Sequence, residues 1–389
     1  MIPSYDVALR LFRSGEFGAL TKDFQKSQAS DSRLDLQVRI LVAHALVRVG
    51  LSERARELLP QDLVAAAAPR QRAMAQTVLG LASRGVGDFN DALAHLQLAV
   101  RLSQEQTDLE EAAWVQLHLF RHLLDAENPD LPQAMIPTAR TAVRKAGSPQ
   151  VTAYLHIVIG ALEGQRGRLN EGARHCTIAR SVLEMAPNAW LQCGVLRNEG
   201  AIALSGYRLL DATSAIRSMN DIATEHSLVR EIVENDANLG YVELLRGDYV
   251  RSARTLSRVI QSPNSSMRAK LAALESLARV HLAAGDLASC ERCLTQVDTE
   301  TRHSQLHSHT ARWAAVARAR LLLKHGNAKA AVSCLTAAED SVSERSDLQF
   351  AATYNIAKAH ALFRLGKKAE AYRECRRPDS LNQATAAWA

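Results

Sequence analysis

The 389-residue sequence predicts an all-α protein, a solenoid of about ten tandem helix–turn–helix units. Three observations predict it. The composition is that of helices: Ala, Leu and Arg dominate, aromatics make up 5%, and only 10 prolines and 19 glycines punctuate the chain. The length exceeds that at which one compact core stops growing, which favours several domains or a stacked array. Finally, segments far apart in the chain repeat one another at a nearly fixed spacing.

The N-terminal stretch MIPSYDVALRLFRSGEFGAL places Asp6, Arg10 and Arg13 where an export signal needs an unbroken apolar core, so no such signal is expected. The longest apolar runs, LVAAAA at 63–68 and YLHIVIGAL at 154–162, fall short of the roughly 18 residues that span a bilayer. A cytoplasmic protein with no membrane partner is therefore expected. In a reducing compartment Cys176, Cys193, Cys290, Cys293, Cys334 and Cys375, all set in apolar helical patterns, should act as small buried hydrophobes rather than form disulfides.

The repeat is visible in three segments. Residues 79–100 are LGLASRGVGDFNDALAHLQLAV, 239–260 are LGYVELLRGDYVRSARTLSRVI, and 277–297 are LARVHLAAGDLASCERCLTQV. Each has a small residue one turn into a first helix, a Gly-Asp turn, an apolar anchor, and small or apolar residues along a second helix. The turn glycine can be followed as Gly15, Gly50, Gly87, Gly167, Gly247, Gly285, Gly326 and Gly366. Two of these intervals are 80 residues long, so each hides a degenerate unit with its turn near Asn128 or Tyr207. A glycine suits this place because the chain must leave the first helix with positive φ. Close helix crossing needs small side chains, which assigns Gly80, Ala92, Gly160, Gly240 and Ala253 to the crossings.

Leu79, Gly80, Gly87, Asp88, Phe89, Ala92, Leu96 and Ala99 match the tetratricopeptide repeat pattern position by position. So do Leu239, Gly240, Gly247, Asp248, Tyr249, Leu256 and Val259, with Ser252 in place of the second-helix Ala and Ala253 after it. The chain thus resembles the tetratricopeptide repeat superfamily over nearly its whole length. Its spacing exceeds the roughly 34 residues of the standard unit, and units lengthened in this way are similar to those of bacterial regulatory and sensor proteins. The resemblance implies a right-handed superhelix whose inner wall is built by the first helix of each pair.

Gln61, Pro60, Pro69, ENPDLP at 127–132, GSP at 147–149 and SPNSS at 262–266 are expected to be short links, because the pattern resumes after each. Residues 1–389 therefore form a single array. Residues 380–389, SLNQATAAWA, start either a capping helix that folds back Trp388 or the continuation of a longer chain.

Cys290 and Cys293 form a CxxC followed by His303, His307 and His309, but in the repeat register Cys290 takes the second-helix Ala position, which places the pair in the core. His118 and His122 share a helix face without the HExxH of a zinc protease, and they are expected to be structural or groove-facing. GQRG at 164–167 is a repeat turn, not a phosphate loop. No cofactor, metal or catalytic residue is expected.

In the repeat register the inner wall carries Arg48, Arg84, His118, His122, Tyr154, Arg197, Asn198, Asn238, Tyr241, Arg279, Arg320, His360 and Arg364. Arg197, Asn198, Asn238, Tyr241, Arg279 and Arg320 are the candidate ligand-binding groove, since Arg and Asn suit peptide carboxylates and amides. The set does not reproduce the two-Lys, two-Asn clamp of co-chaperone domains. The function expected is a non-catalytic interaction scaffold or sensor that binds a protein segment or peptide. Two alternatives stand beside it. One is the sensor arm of a larger regulator truncated at its C-terminus. The other is a nucleic-acid-binding helical repeat, suggested by a net charge of +6. Self-association through an uncapped end is a further expectation.

Overall fold

The computed structural model describes residues 4–26, 35–104, 107–125, 130–304, 309–339 and 348–376. Among these residues there are 21 helices and no strand. The first pairs are α1 (Tyr5–Ser14) with α2 (Phe17–Lys26) and α3 (Leu36–Arg48) with α4 (Ser52–Leu58), followed by a short α5 (Gln61–Ala65). Next come α6 (Pro69–Val86) with α7 (Phe89–Gln104), α8 (Leu109–Asp125) with α9 (Asp130–Ala146), and α10 (Pro149–Gln165) with α11 (Leu169–Met185). The middle holds α12 (Ala189–Ser205) with α13 (Leu209–Glu225) and α14 (Val229–Leu245) with α15 (Tyr249–Gln261). The array ends with α16 (Met267–Ala284) and α17 (Leu287–Ser304), α18 (His309–Lys324) and α19 (Ala328–Glu339), and α20 (Leu348–Arg364) and α21 (Lys368–Cys375). The ten pairs and their stacking make an α-solenoid, as the periodicity predicts.

The Gly-Asp motif has a two-part physical cause. Gly87 and Gly247 take φ of 96° and 79°, and the amides of Asp88 and Asp248 then bond back to the carbonyls of Ser83 and Glu243 at 2.9 Å, closing the first helix. The Asp side chain next caps the second helix: Asp88 accepts from the Asp91 amide at 3.1 Å and Asp248 from the Arg251 amide at 3.3 Å. Every glycine in the predicted ruler has positive φ, and the degenerate turn placed near Tyr207 is there, with Tyr207 itself at φ 54°. The turn placed near Asn128 lies outside the described residues.

At the crossings, a Cβ on Gly240 would lie 2.6 Å from Leu256 Cδ2, and one on Gly80 would lie 2.8 Å from Leu96 Cγ. These contacts leave no room for a side chain. Ser252, not Ala253, fills the second-helix position opposite Gly240. It is fully buried and donates its hydroxyl to the Gly240 carbonyl at 2.7 Å, whereas Ala253 is half-buried beside it. Gln61 opens α5 instead of sitting in a link, while Pro69 and Pro149 occupy first-turn helix positions that need no amide hydrogen.

Cys176, Cys193 and Cys290 are buried as expected, and Cys293 and Cys334 partly so. Cys375 departs from the expectation and is exposed, because α21 is the last described helix and nothing described packs on its outer side. Cys290 joins Leu274, Leu294 and Val297 in a core cluster, with Cys293 packed against it. The side chains of His303, His307 and His309, and residues 380–389, lie outside the described residues. No described helix is long and apolar enough to cross a membrane.

The curvature brings the beginning of the chain against its middle. The Arg13 carbonyl accepts from Gln150 Nε2 and Asn188 Nδ2, each at 2.9 Å. Glu16 meets His226 at 2.8 Å, and Lys22 donates to Ser227 Oγ at 2.9 Å. One apolar cluster contains Ala8, Phe17 and Leu20 of the first pair together with Ala189, Cys193, Met219 and Leu228 from the middle units. Helix α10 has apolar residues spread around most of its circumference, and ten of its seventeen residues are buried, as befits a wall packed on both sides.

Candidate functional site

Curvature of this kind converges the inner faces of first helices from distant repeats. Seven of them, α3, α6, α8, α10, α12, α14 and α16, line one cavity of about 180 Å³, with Phe89 of α7 at its edge. The wall is polar and strongly charged: Arg48, Arg84, Arg121, Arg197, Arg230 and Arg268 face Asp125, Glu231 and Glu234. Six guanidiniums thus meet three carboxylates in a low-dielectric channel.

The carboxylates are already engaged. Asp125 meets Arg268 at 2.7 Å, Arg121 at 3.1 Å and Arg84 at 3.5 Å. Burial alone would raise its carboxyl, but these three cations hold it well below the usual range. Glu234 pairs with Arg230 at 2.8 Å and is likewise held low by Arg230 and Arg197 against its desolvation. Glu231 pairs with Arg197 and accepts from Trp190 Nε1 at 3.1 Å. Arg230 reaches across to the Val47 carbonyl at 3.1 Å, tying α14 to the end of α3.

Arg48 is in a different state. Burial, followed by the repulsion of Arg84, Arg230 and Arg197, brings its guanidinium down to about 9. It stacks 3.8 Å from the centroid of the Trp190 ring and donates to His44 and His118. Behind it, the rings of His118, Tyr154, Trp114 and Trp190 pack in series at 5.1–5.8 Å between centroids. Desolvation, then the charge of Arg48, pushes His44 and His118 well below the ordinary imidazole value, so both are neutral.

Of the six predicted groove residues, Arg197 and Asn238 line this cavity. Asn198 faces the neighbouring helix instead: it is buried, and its Nδ2 donates to the Ile157 carbonyl at 2.7 Å. Tyr241, Arg279 and Arg320 form a second cluster further along the wall, with Arg279 stacked between Tyr241 and Trp313 and 3.8 Å from Glu275. Arg320 sits beside Arg279 and Glu275, its guanidinium lowered by burial and then by Arg279. From the wider inner-wall projection, Arg48, Arg84 and Tyr154 also line the cavity, while His118 and His122 are buried behind it. Sequence reasoning missed Arg121, Asp125, Trp190, Arg230, Glu231, Glu234 and Arg268. The i,i+4 pairs Arg121–Asp125 and Arg230–Glu234 were the available signal.

The chain is similar over 99% of its length, and over 97% of the other chain, to the crystal structure of a Rap protein complexed with competence and sporulation factor, at 13% identity and a TM-score of 0.57. It is also similar to the crystal structure of NprR in complex with its cognate peptide NprX, covering 75% of this chain and 86% of that one at 12% identity and a TM-score of 0.53. The fold is a tetratricopeptide-type solenoid. No protein-family model matches the sequence, and no curated protein is significantly similar to it.

Proposed function

We propose that this protein is a non-catalytic regulatory module that holds a short peptide, or a segment of a protein, in the channel lined by its first helices. The observation that carries the reading is the convergence of seven first helices on one cavity, with Asn238 and six guanidiniums in its wall. An extended peptide presents carbonyls, amides and carboxylates in series, and Arg and Asn side chains are the donors and acceptors that match them. The structural likeness to NprR with its cognate peptide supports the same reading. Six guanidiniums against three carboxylates give the cavity wall a positive surplus, which suits the carboxylates of a peptide.

Affinity selection from a pooled random heptapeptide library tests this. The wild-type chain should retain a subset of sequences, and Asn238→Trp, which fills the channel, should lose them. Retention of no peptide, or equal retention by the filled variant, would contradict the proposal.

A further inference from the structure

Arg48, at the end of α3, is 7% exposed, and among the described residues no carboxylate pairs with it. Its Nε donates to His44 Nε2 at 3.2 Å and its Nη2 to His118 Nε2 at 3.3 Å. A guanidinium has donors and no acceptor, so both imidazoles must accept at Nε2 and carry their hydrogen on Nδ1. His118 Nδ1 lies 3.2 Å from the Tyr154 hydroxyl and therefore donates to it. Tyr154, having accepted, keeps its own hydrogen for a further acceptor, and Tyr154 lines the cavity. Arg48 Nη1 is left over in the same way.

The ring of Trp190 covers one face of the Arg48 guanidinium and leaves its edge to form hydrogen bonds. The neighbouring cations Arg84, Arg197 and Arg230 add positive potential, and their own carboxylates are committed to them. Two donors with no acceptor, one cationic and one neutral, thus share a desolvated wall of surplus positive charge, where a charge-assisted bond to an anion is strongest.

We propose that Arg48 Nη1 and the Tyr154 hydroxyl form a carboxylate-binding subsite in the channel, which receives an acidic side chain or the terminal carboxylate of the bound peptide. This rests on the peptide-binding reading for its physiological ligand, but not for its chemistry. His118 is a positioning residue: it sets the direction of the Tyr154 hydroxyl and does not touch the ligand.

The test uses sodium succinate as probe, titrated against sodium chloride of equal ionic strength, with tryptophan fluorescence and melting temperature as readouts. The wild-type chain should respond saturably to succinate and not to chloride. Arg48→Met should abolish the response, and Tyr154→Phe, which keeps the ring packing, should weaken affinity about tenfold, the loss of one hydrogen bond. Helical circular dichroism checks that both variants fold. A response that survives both substitutions, or no saturable response to succinate, overturns the subsite. Two heptapeptide pools then separate the sources: one lacks Asp and Glu but has a free terminus, and the other contains Asp and Glu but is amidated. Retention of one pool and not the other identifies the carboxylate. Peptides retained equally by Arg48→Met would defeat the subsite while sparing the peptide reading. A succinate response without any peptide retention would do the reverse.

Discussion

The Arg48 guanidinium lies 3.8 Å from the centroid of the Trp190 ring, joining the end of α3 to the start of α12 across the channel. Neither residue is near the other in sequence, so the contact exists only because the solenoid curls. A double-mutant cycle of Arg48→Met and Trp190→Leu, followed by urea unfolding, should give a coupling energy of about 0.5–2 kcal/mol. Additive effects would mean that the two helices do not meet.

Asp125 is the hub of the channel's charge network, meeting Arg84, Arg121 and Arg268. Asp125→Asn removes the shared anion and leaves two largely buried cations, Arg84 and Arg121, and the half-exposed Arg268 in mutual repulsion. The expected destabilisation is about 3–5 kcal/mol. Asp211→Asn, which breaks an exposed pair with Arg208, should cost about 0–1 kcal/mol.

Acid should destabilise the fold at pH values above the ordinary carboxylate range, through its buried histidines. Burial, and then a nearby arginine, keeps His118 well below 6.5 and brings His122 down to about 4. The unfolded chain therefore binds protons near pH 6.5 that the folded chain refuses, so stability is fully present above about pH 6.5 and falls as pH drops from there toward 4. The slope is about 1.4 kcal/mol per pH unit for each such histidine. Glu111, raised to about 7 by burial, opposes this as a single group. Melting curves between pH 7.5 and 4.5 should show the loss, and His122→Gln should flatten it.

Two glycine substitutions separate backbone strain from ring closure. Gly247 has φ 79° and open space around it, so Gly247→Ala should cost about 1–2 kcal/mol from the left-handed backbone alone. Gly50 has φ 94°, and a Cβ there would lie 2.7 Å from the Asn264 carbonyl in the link between α15 and α16. Gly50→Ala should be clearly the more damaging of the two in urea unfolding. Equal costs would show that the first units do not touch this link.

The repeat architecture was legible because its determinants are local. A glycine with positive φ recurs at eight of the turns, an Asp or Asn caps the next helix at Asp88, Asp248, Asp286 and Asn327, and even the degenerate turn at Tyr207 could be placed by spacing. The channel was legible in part. First-helix register put Arg48, Arg84, Tyr154, Arg197 and Asn238 on the inner wall. It could not show that Asn198, one position from Arg197, turns to the Ile157 carbonyl, since a step of about 100° separates neighbouring residues on a helix. Nor could it show that α3 meets α12 and α14, because curvature summed over several units decides which distant repeats converge. Trp190 and Arg268 sit near the starts of their helices, outside the positions that the motif fixes.

The central claim, that the inner wall is the binding surface, is tested most directly by photo-cross-linking a diazirine-bearing peptide from the selected heptapeptide pool and mapping the modified residues by mass spectrometry. The account predicts adducts on channel residues such as Tyr154, Trp190 and Asn238. Adducts confined to exposed positions such as Met185, Leu210 and Val250 would contradict it.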